Sequence, residues 1–307
     1  MSDAILVIRL GALGDFVLST GPFQAIRDAH KDAHIVLLTT APYEGLAKAG
    51  GWFDEVWLDK RPRLWQLARI AALKRQLRGG RFARVYDLQT SDRSSSYYRL
   101  FADPKPEWSG IASGASHRQT RADRDDMHTV DRQADQLAVA GIASVPAPDL
   151  SMIDADLGEL GLPERFAILV PGSAPHRPDK RWAAASYGDL ARRLADRGDV
   201  PVLLGSGAET DVLQAIAAAC PQALNLGGRT TFEQIAAIGR RARCAIGNDT
   251  GPMHLLATAG APSVVLFSAA SDPALTAPRG PDVTILQRDT LGDLSVEEVI
   301  AVTPAVA

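Results

Sequence analysis

Short apolar, β-branched runs alternate with longer helix-like segments along almost the whole chain, and this alternation restricts the fold most strongly. The first series predicts strands at Ile5–Leu10, Ile35–Thr39 and Arg84–Leu88. It also predicts a helix over Phe16–Ala29 that is interrupted near Pro22. Apolar strands separated by helices are typical of parallel sheets that are covered on both faces. The first series therefore predicts a doubly wound α/β domain.

The alternation restarts after a Pro- and Ala-rich passage, Gly141–Pro163. The second series predicts strands at Phe166–Val170, Pro201–Leu204, Cys244–Ile246 and Ser263–Phe267, and helices at Ala184–Arg197, Thr210–Ala219 and Pro252–Ala259. We therefore expect two Rossmann-like domains, residues 1–158 and 159–307, that face a central cleft. A short last helix, Ser295–Val302, is expected to pack on a surface, with the first domain as one candidate partner.

The composition excludes several classes of protein. Hydrophobic residues make up 46% and charged residues 22% of the 307 residues, which is sufficient for packed cores and unlike a disordered chain. The net charge of -3 gives no reason to expect nucleic acid as a partner. Cys220 and Cys244 have no further ligand at metal spacing, so we expect free thiols in a reducing compartment. No run approaches the ~20 apolar residues of a membrane span, and a cytoplasmic protein is expected.

A loop with two glycines, Arg9–Asp15, directly follows the first predicted strand. Doubly wound folds bind ligands at the carboxyl ends of their strands. Gly11 and Gly14 permit a tight turn and leave room for a substrate. Asp15 then opens the next helix, either as a helix cap or as a carboxylate that faces a ligand. The glycines fit neither the dinucleotide fingerprint nor the P-loop.

A basic loop follows the first strand of the second series. Its Gly-Ser turn, Gly172-Ser173, precedes four residues that can carry positive charge: His176, Arg177, Lys180 and Arg181. A turn with cations around it suits a diphosphate, which is the leaving group of a sugar nucleotide. The alternative is a solvated basic loop, and this alternative is credible for Arg177 and Arg181.

A third loop, Leu203–Glu209, places a glycine turn and a carboxylate after a predicted strand. Glu209 is suited to hydrogen-bond the hydroxyls of a ribose. The loop superficially resembles a dinucleotide loop, but Thr210 stands where the third glycine would be needed.

The fourth loop, Gly247–His254, is the most informative. Thr250 is predicted as an N-cap and Pro252 as part of the first turn of a helix, whose N-terminus favours phosphate. Asp249 is too negative to face the phosphate and suits sugar hydroxyls. His254 is either a core histidine or a ligand-binding residue.

Together these segments resemble glycosyltransferase family nine, the heptosyltransferase-like bacterial glycosyltransferases with the GT-B fold of two Rossmann-like domains. The resemblance is carried, in the family's order, by Ile5–Asp15, Tyr86–Gln89, His128–Arg132, Pro171–Ser173, Lys180–Trp182, Gly205–Glu209 and Gly247–His254. After Phe267 this sequence departs from the family, because Ser268–Pro273 stands where many members have Gly-Pro-Thr.

The resemblance implies an enzyme that transfers a sugar with inversion, by default heptose from ADP-heptose, to an acceptor like the lipopolysaccharide core. It implies Asp15 as the general base and Lys180 as the lysine of the donor phosphates. The predicted donor-binding residues are Gly14, Ser173, Glu209, Asp249, Thr250, Gly251 and His254. No metal and no other cofactor are implied.

Two alternatives on the same fold stay open. A nucleotide-sugar epimerase would need no acceptor, and a binding protein would hold the nucleotide sugar without catalysis. A dinucleotide oxidoreductase is disfavoured by the incomplete glycine loops.

Nine Lys and Arg residues and no Asp or Glu occur from Lys60 to Tyr86. Such a segment is suited to an anionic glycolipid or glycan acceptor, or to peripheral contact with the inner face of the inner membrane. Its apolar positions drift around the predicted helix, so a solvated face is the preferred interpretation.

Overall fold

The chain divides into two units, Met1–Pro148 and Asp149–Ala307. The structure, a computed structural model, describes residues 4–63 and 65–304. The boundary predicted at residue 158 lies inside the second unit. The segment before it belongs there because the backbone N–H of Leu150 donates to the carbonyl of Thr258 at 3.3 Å and the side chain of Ile153 is buried.

The first unit alternates strands with helices, as the sequence predicts. Its strands are β1 (Ala4–Ile8), β2 (His34–Thr39), β3 (Glu55–Leu58), β4 (Phe82–Asp87), β5 (Glu107–Gly110) and β6 (His117–Arg118). Its helices are α1 (Leu13–Leu18), α2 (Thr20–Ala29), α3 (Glu44–Ala49), α4 (Leu67–Gly79), α5 (Asp92–Tyr97) and α6 (Thr129–Val139). The strands pair in parallel in the order β3-β2-β1-β4-β5-β6. The winding therefore reverses between β1 and β4, as in dinucleotide-binding folds.

The second unit repeats this topology. Its strands are β7 (Phe166–Val170), β8 (Val200–Leu203), β9 (Leu224–Asn225), β10 (Cys244–Asn248), β11 (Ser263–Phe267) and β12 (Val283–Gln287). Its helices are α7 (Ala184–Asp196), α8 (Thr210–Ala219), α9 (Phe232–Gly239), α10 (Gly251–Thr258), α11 (Pro273–Thr276) and α12 (Val296–Val302). The parallel order is β9-β8-β7-β10-β11-β12, so this sheet reverses between β7 and β10. Every residue of β7 and β10 is buried, as a sheet covered on both faces requires.

The helix predicted over Phe16–Ala29 is two helices, and the break lies at Ser19. The prediction of an interruption near Pro22 was wrong in position. Ser19 Oγ donates to the carbonyl of Asp15 at 2.7 Å, a bond to the preceding turn that favours bending of a helix. Pro22 is the third residue of α2, where a missing N–H costs little because the first turn lacks intrahelical acceptors.

The last helix, α12, packs within the second unit. Val296, Val299 and Ile300 share one hydrophobic cluster with Leu190 of α7. Just before α12, the carbonyl of Leu294 accepts a hydrogen bond from the Trp182 indole at 3.0 Å, which connects this end of the chain to the start of α7. None of the helices over the described residues combines the length and the apolar composition that crossing a bilayer requires.

Candidate active site

In the first unit, charged side chains gather at the carboxyl ends of β1 and β4, where the winding reverses. Arg9 follows β1, and its guanidinium is only 3% exposed. Its Nη1 donates to the carbonyl of Leu88 at 2.6 Å, and its Nη2 lies 3.3 Å from Asp15 Oδ1. Open α/β sheets bind ligands outside this edge, so Arg9 and Asp15 lie where a ligand is expected.

Asp15 is the third residue of α1 and not its cap. The N-cap position is held by Ala12, and no side chain caps this helix. The Asp15 side chain is 39% exposed although the guanidinium beside it is buried. One oxygen of Asp15 thus faces a fixed cation while the carboxylate stays accessible, which suits a group that receives a proton from a ligand.

Tyr43 lies over the turn at Gly11. Gly11 has a φ of +119°, and a Cβ at this position would lie 2.7 Å from Tyr43 Oη, so only glycine is accommodated. The Tyr43 ring stacks on Phe16 with centroids 5.2 Å apart. Burial raises the pKa of Tyr43, and Arg61 and Arg9 oppose this increase. The phenol therefore keeps its proton and is a hydrogen-bonding group near Asp15 that sequence reasoning missed.

Further cations surround this site. Arg132 interacts electrostatically with Asp15. Burial is the main cause that lowers the pKa of Arg132, and repulsion from Arg124 is the second. Arg124 Nη2 donates to Thr90 Oγ1 at 2.6 Å, which holds this arginine beside the loop after β4. The backbone N–H of Leu10 donates to Gln89 Oε1, in the same loop, at 2.7 Å. The segments Tyr86–Gln89 and His128–Arg132, which carried part of the family resemblance, therefore converge on the Asp15 site.

Asp87, the last residue of β4, is a buried carboxyl group in the same site. Burial raises its pKa to about 7. Hydrogen bonds from Ser94, Thr90 and Gln89, and the positive charge of Arg9, act in the opposite direction and lower the pKa. Its Oδ1 accepts from the backbone N–H of Thr90 at 3.1 Å. Its protonation therefore changes near neutral pH. In the sequence, Asp87 could have been found as a charged residue at the end of a predicted strand.

In the second unit, the loops after β7 and β10 meet at the point where the winding reverses. Lys180 Nζ and Asp249 Oδ2 form an ion pair in which the side chains are 17% and 7% exposed. Ser271 Oγ donates to the same carboxylate oxygen at 2.7 Å. The fold thus brings together the predicted lysine and aspartate. It adds Ser271, from the segment in which the sequence departs from the family.

Asn248, the last residue of β10, connects these loops. Its Nδ2 donates to the carbonyl of Pro171 at 2.7 Å. Its Oδ1 accepts from Tyr187 Oη at 3.0 Å and from the backbone N–H of Trp182 at 3.2 Å. Because Asn248 is fully buried, these bonds fix both ends of the basic loop next to Asp249. Sequence reasoning did not single out this asparagine.

Within the basic loop, Ser173 and its neighbouring arginines bond to one another. Arg181 Nε donates to Ser173 Oγ at 3.0 Å, and Ser173 Oγ donates to the carbonyl of Arg177 at 3.0 Å. Arg177 in turn donates to the carbonyl of Ala270. These contacts support a structural role for Arg177 and Arg181, whereas Lys180 pairs with a site carboxylate.

Glu209 has a structural role in the third loop and also faces a pocket. Its Oε2 accepts from the backbone N–H of Ser206 at 2.6 Å, which completes a capping box. Its side chain lies against Gly172, where a Cβ would come within 2.6 Å of Oε1. Gly172, Glu209 and Trp182 line a cavity of 370 Å³. The cap occupies Oε2, so the ribose contact predicted for this residue requires Oε1.

The start of α10 is as predicted in position but not in its cap. Thr250 holds the N-cap position and Pro252 the first turn, yet the Thr250 hydroxyl makes no capping hydrogen bond. The first turn, which begins at Gly251, therefore lacks a side-chain cap, as an anion-binding helix terminus requires. His254 lies on α10 and is 5% exposed.

Two doubly wound units, each with polar loops at its winding reversal, define the GT-B class of fold. The solved structure of a glycosyl transferase family 9 protein from Veillonella parvula superposes with a TM-score of 0.85 and 22% identity, over 97% of this chain and 95% of that one. Escherichia coli ADP-heptose lps heptosyltransferase II superposes with a TM-score of 0.81 and 23% identity, over 98% and 97%. The predicted fold class is confirmed.

The sequence comparison shows the family. The profile of "Glycosyltransferase family 9 (heptosyltransferase)" matches residues 70–298, so the chain belongs to this glycosyltransferase family, as predicted. Lipooligosaccharide heptosyltransferase 2 of Haemophilus influenzae is 31% identical over 131 residues, which are 41% of this chain and 38% of that protein. The match thus spans well under half the length of this curated relative.

Proposed function

We propose that this protein transfers a sugar, with inversion, from a nucleoside diphosphate donor to an acceptor of the lipopolysaccharide core type. ADP-heptose is the proposed donor, because the E. coli protein with the same fold is described as an ADP-heptose lps heptosyltransferase. Membership in a glycosyltransferase family favours transfer over the epimerase and the binding-protein alternatives.

The ion pair between Lys180 and Asp249 is the observation that carries this proposal. It places a cation and a carboxylate beside the start of α10, whose first turn has no side-chain cap. A lysine and a helix N-terminus suit the diphosphate, and a carboxylate that accepts hydrogen bonds suits the hydroxyls of the sugar. Thr250, Gly251 and His254 belong to the same donor site in this proposal.

The remaining predicted donor contacts are part of the same proposal. Glu209 would bind the ribose through Oε1, and Ser173 would shape the turn beside the diphosphate. Gly14, which precedes Asp15 in the first turn of α1, is a further donor contact in this proposal. The proposed reaction requires no metal.

In the proposed reaction, Asp15 takes the proton of the acceptor hydroxyl as that oxygen attacks the anomeric carbon of the donor sugar. The bond between this carbon and the diphosphate oxygen breaks, and the electron pair leaves with the nucleoside diphosphate. Lys180 stabilises the charge that develops on this leaving group. One displacement inverts the configuration at the anomeric carbon.

The cations around Asp15 support an anionic acceptor. Arg61 and Arg132, neither of which is fully buried, interact electrostatically with Tyr43 and with Asp15, respectively. Carboxylate or phosphate groups on the acceptor would bind to such cations and bring the hydroxyl to the base.

A transfer assay tests the proposal. Purified protein is incubated with ADP-heptose and a lipopolysaccharide core acceptor that lacks heptose, and ADP and the extended glycan are measured. We expect both products in equal amounts. The anomeric configuration of the transferred sugar, determined by NMR, should be opposite to that in the donor. Reactions without acceptor are the control, because conversion of the nucleotide sugar there would indicate an epimerase. No transfer from any nucleotide sugar to any core acceptor would contradict the proposal.

A further inference from the structure

The segment that follows β11, Ser268–Pro273, is attached to the basic loop of the second unit. Ser268 is 2% exposed, and its Oγ accepts from the backbone N–H of Ala270 at 3.3 Å. The carbonyl of Ala270 accepts from the guanidinium of Arg177, which belongs to the basic loop. The segment in which the sequence departs from the family therefore has a defined conformation beside the residues of the candidate donor site.

Within this segment, the backbone on both sides of Ser271 is held by hydrogen bonds. The backbone N–H of Ser271 donates to the carbonyl of Ser268 at 3.3 Å. The next residue, Asp272, is the N-cap of α11, and its Oδ1 accepts from the backbone N–H of Ala274 at 2.8 Å. Ser271 itself is half-buried, and its hydroxyl donates to Asp249 Oδ2 at 2.7 Å. The hydroxyl is thus presented to Asp249 from a fixed backbone.

The Asp249 carboxylate receives both of its hydrogen bonds on one oxygen. Lys180 Nζ and Ser271 Oγ each bond to Oδ2. Across residues 4–63 and 65–304, no donor bonds to Oδ1. The Asp249 side chain is only 7% exposed, so its orientation is set by these partners more than by water. Oδ1 is therefore the oxygen that is left for the hydroxyls of a sugar.

The two partners of Asp249 respond differently to a diphosphate. Lys180 is the proposed partner of the diphosphate, which carries more negative charge than one carboxylate and competes with Asp249 for the ammonium group. The Ser271 hydroxyl is neutral, so it has less to gain from the diphosphate. Ser271 is therefore the contact that keeps Asp249 in place when Lys180 turns to the leaving group.

We propose that Ser271 is a positioning residue, which holds the Asp249 carboxylate in the orientation that binds the donor sugar. Ser271 acts through Oδ2 of Asp249 and does not itself touch the sugar. The inference rests on the proposed function and extends it to the sugar half of the donor. Removal of the hydroxyl should therefore weaken the binding of a nucleotide sugar and leave the binding of the free nucleoside diphosphate unchanged.

Calorimetric titration of the full chain with ADP-heptose and with ADP, in the absence of acceptor, tests this inference. Ser271→Ala should weaken the binding of ADP-heptose by about tenfold, which corresponds to one hydrogen bond to a charged group. The same variant should bind ADP like the wild type. Ser271→Thr keeps the hydroxyl and should bind both ligands like the wild type. If the wild type binds a different nucleotide sugar, the variants are compared on that donor and its free diphosphate.

Two further variants separate positioning from a general effect on the fold. Ser151→Ala is the matched control, because Ser151 Oγ also donates to a carboxylate, Asp149 Oδ2, at 3.0 Å, and this variant should change neither affinity. The double variant Asp249→Asn/Ser271→Ala should bind ADP-heptose no more weakly than Asp249→Asn alone, because both changes affect one contact. Circular dichroism melting verifies that each variant is folded.

Three results would overturn the role of Ser271. The first is wild-type affinity of Ser271→Ala for the nucleotide sugar. The second is an equal loss of affinity for the nucleotide sugar and the free diphosphate, which would indicate a structural role. The third is a loss in Ser271→Thr as large as that in Ser271→Ala. Any of them overturns this inference alone, whereas a wild type that binds no ADP- or UDP-linked sugar would overturn the proposed function and this inference together.

Discussion

The buried guanidinium of Arg9 and the partly exposed carboxylate of Asp15 form an ion pair with Nη2 and Oδ1 3.3 Å apart. A second nitrogen of Arg9 donates to the carbonyl of Leu88, so the guanidinium is held from two sides. Burial lowers the pKa of Arg9, and the charge of Asp15 opposes this effect. The ion pair therefore fixes the orientation of the Asp15 carboxylate, which is still 39% exposed.

Substitution of Arg9 by lysine should impair catalysis through Asp15. Lysine cannot reach both partners as the planar guanidinium does, so the carboxylate loses its fixed orientation. We expect Arg9→Lys to lower kcat by about 10- to 100-fold, the equivalent of one charge-assisted hydrogen bond, while the KM for the donor changes little. Steady-state kinetics with both substrates measure this effect.

The same substitution in an Asp15→Asn background separates positioning from folding. If Arg9 acts through Asp15, Arg9→Lys should cause no further fall in kcat there, because the two effects are coupled. Additive losses in kcat would show that Arg9 acts independently of Asp15.

Asp15→Asn should nearly abolish turnover and leave donor binding intact. A general base contributes roughly 10²- to 10⁴-fold to the rate, and asparagine keeps the size of aspartate but cannot accept the proton. The measurements are kcat in the transfer assay and the Kd of ADP by calorimetry. Asp28→Asn, an exposed residue of α2, is the matched control and should behave like the wild type. Normal turnover by Asp15→Asn would remove Asp15 from the role of base.

Lys180→Gln should weaken the binding of ADP but not that of adenosine. The substitution removes the charge that is proposed to face the diphosphate, and a charge-assisted hydrogen bond corresponds to roughly 10- to 100-fold in Kd. Calorimetric titration with the two ligands measures the difference. Lys48→Gln, which removes a surface lysine paired with Glu44, should change neither affinity. An equal loss for adenosine and ADP would point to a general disturbance of the second unit.

Asp87 should make the stability of the protein fall as the pH rises from about 4 to 7. The folded state holds the proton up to a pKa of about 7, whereas the unfolded chain releases it near 3.8. The folded state therefore binds more protons in this interval, and the free energy of unfolding decreases by on the order of 1 kcal/mol per pH unit.

Urea unfolding of the wild type and of Asp87→Asn at several pH values tests this effect. The variant should lack this component of the slope, so its stability relative to the wild type should increase with pH. Asp196→Asn, at an exposed position in α7, should keep the wild-type slope. Parallel curves for the wild type and Asp87→Asn would contradict the raised pKa.

Much of the sheet architecture is visible in the sequence because central parallel strands are apolar at most positions. Phe166–Val170 and Ser263–Phe267 were predicted at their observed bounds for this reason. Short or partly exposed edge strands, such as His117–Arg118 and Leu224–Asn225, were missed. These strands exist because a neighbouring strand offers hydrogen bonds, and their own residues carry no periodic signal.

The loops that bind ligands in such folds could also be predicted, since each directly follows an apolar strand and contains glycine with a charged residue. The sequence could not show which of these polar side chains form hydrogen bonds within the protein and which meet another residue of the candidate site. Arg181 bonds to Ser173, and Glu209 caps its own turn, whereas Lys180 meets Asp249. These outcomes depend on distances between separate loops.

The sequence by itself determined two doubly wound units, the family and the position of the candidate loops, because apolar periodicity and short motifs are local properties of the chain. Only the tertiary structure decided that Arg9 supports Asp15, that Ser271 shares Asp249 with Lys180, and that Leu67 is exposed while Leu73 is core. The physical reason is that burial and partnership are set by residues distant in sequence, which the fold alone brings into contact.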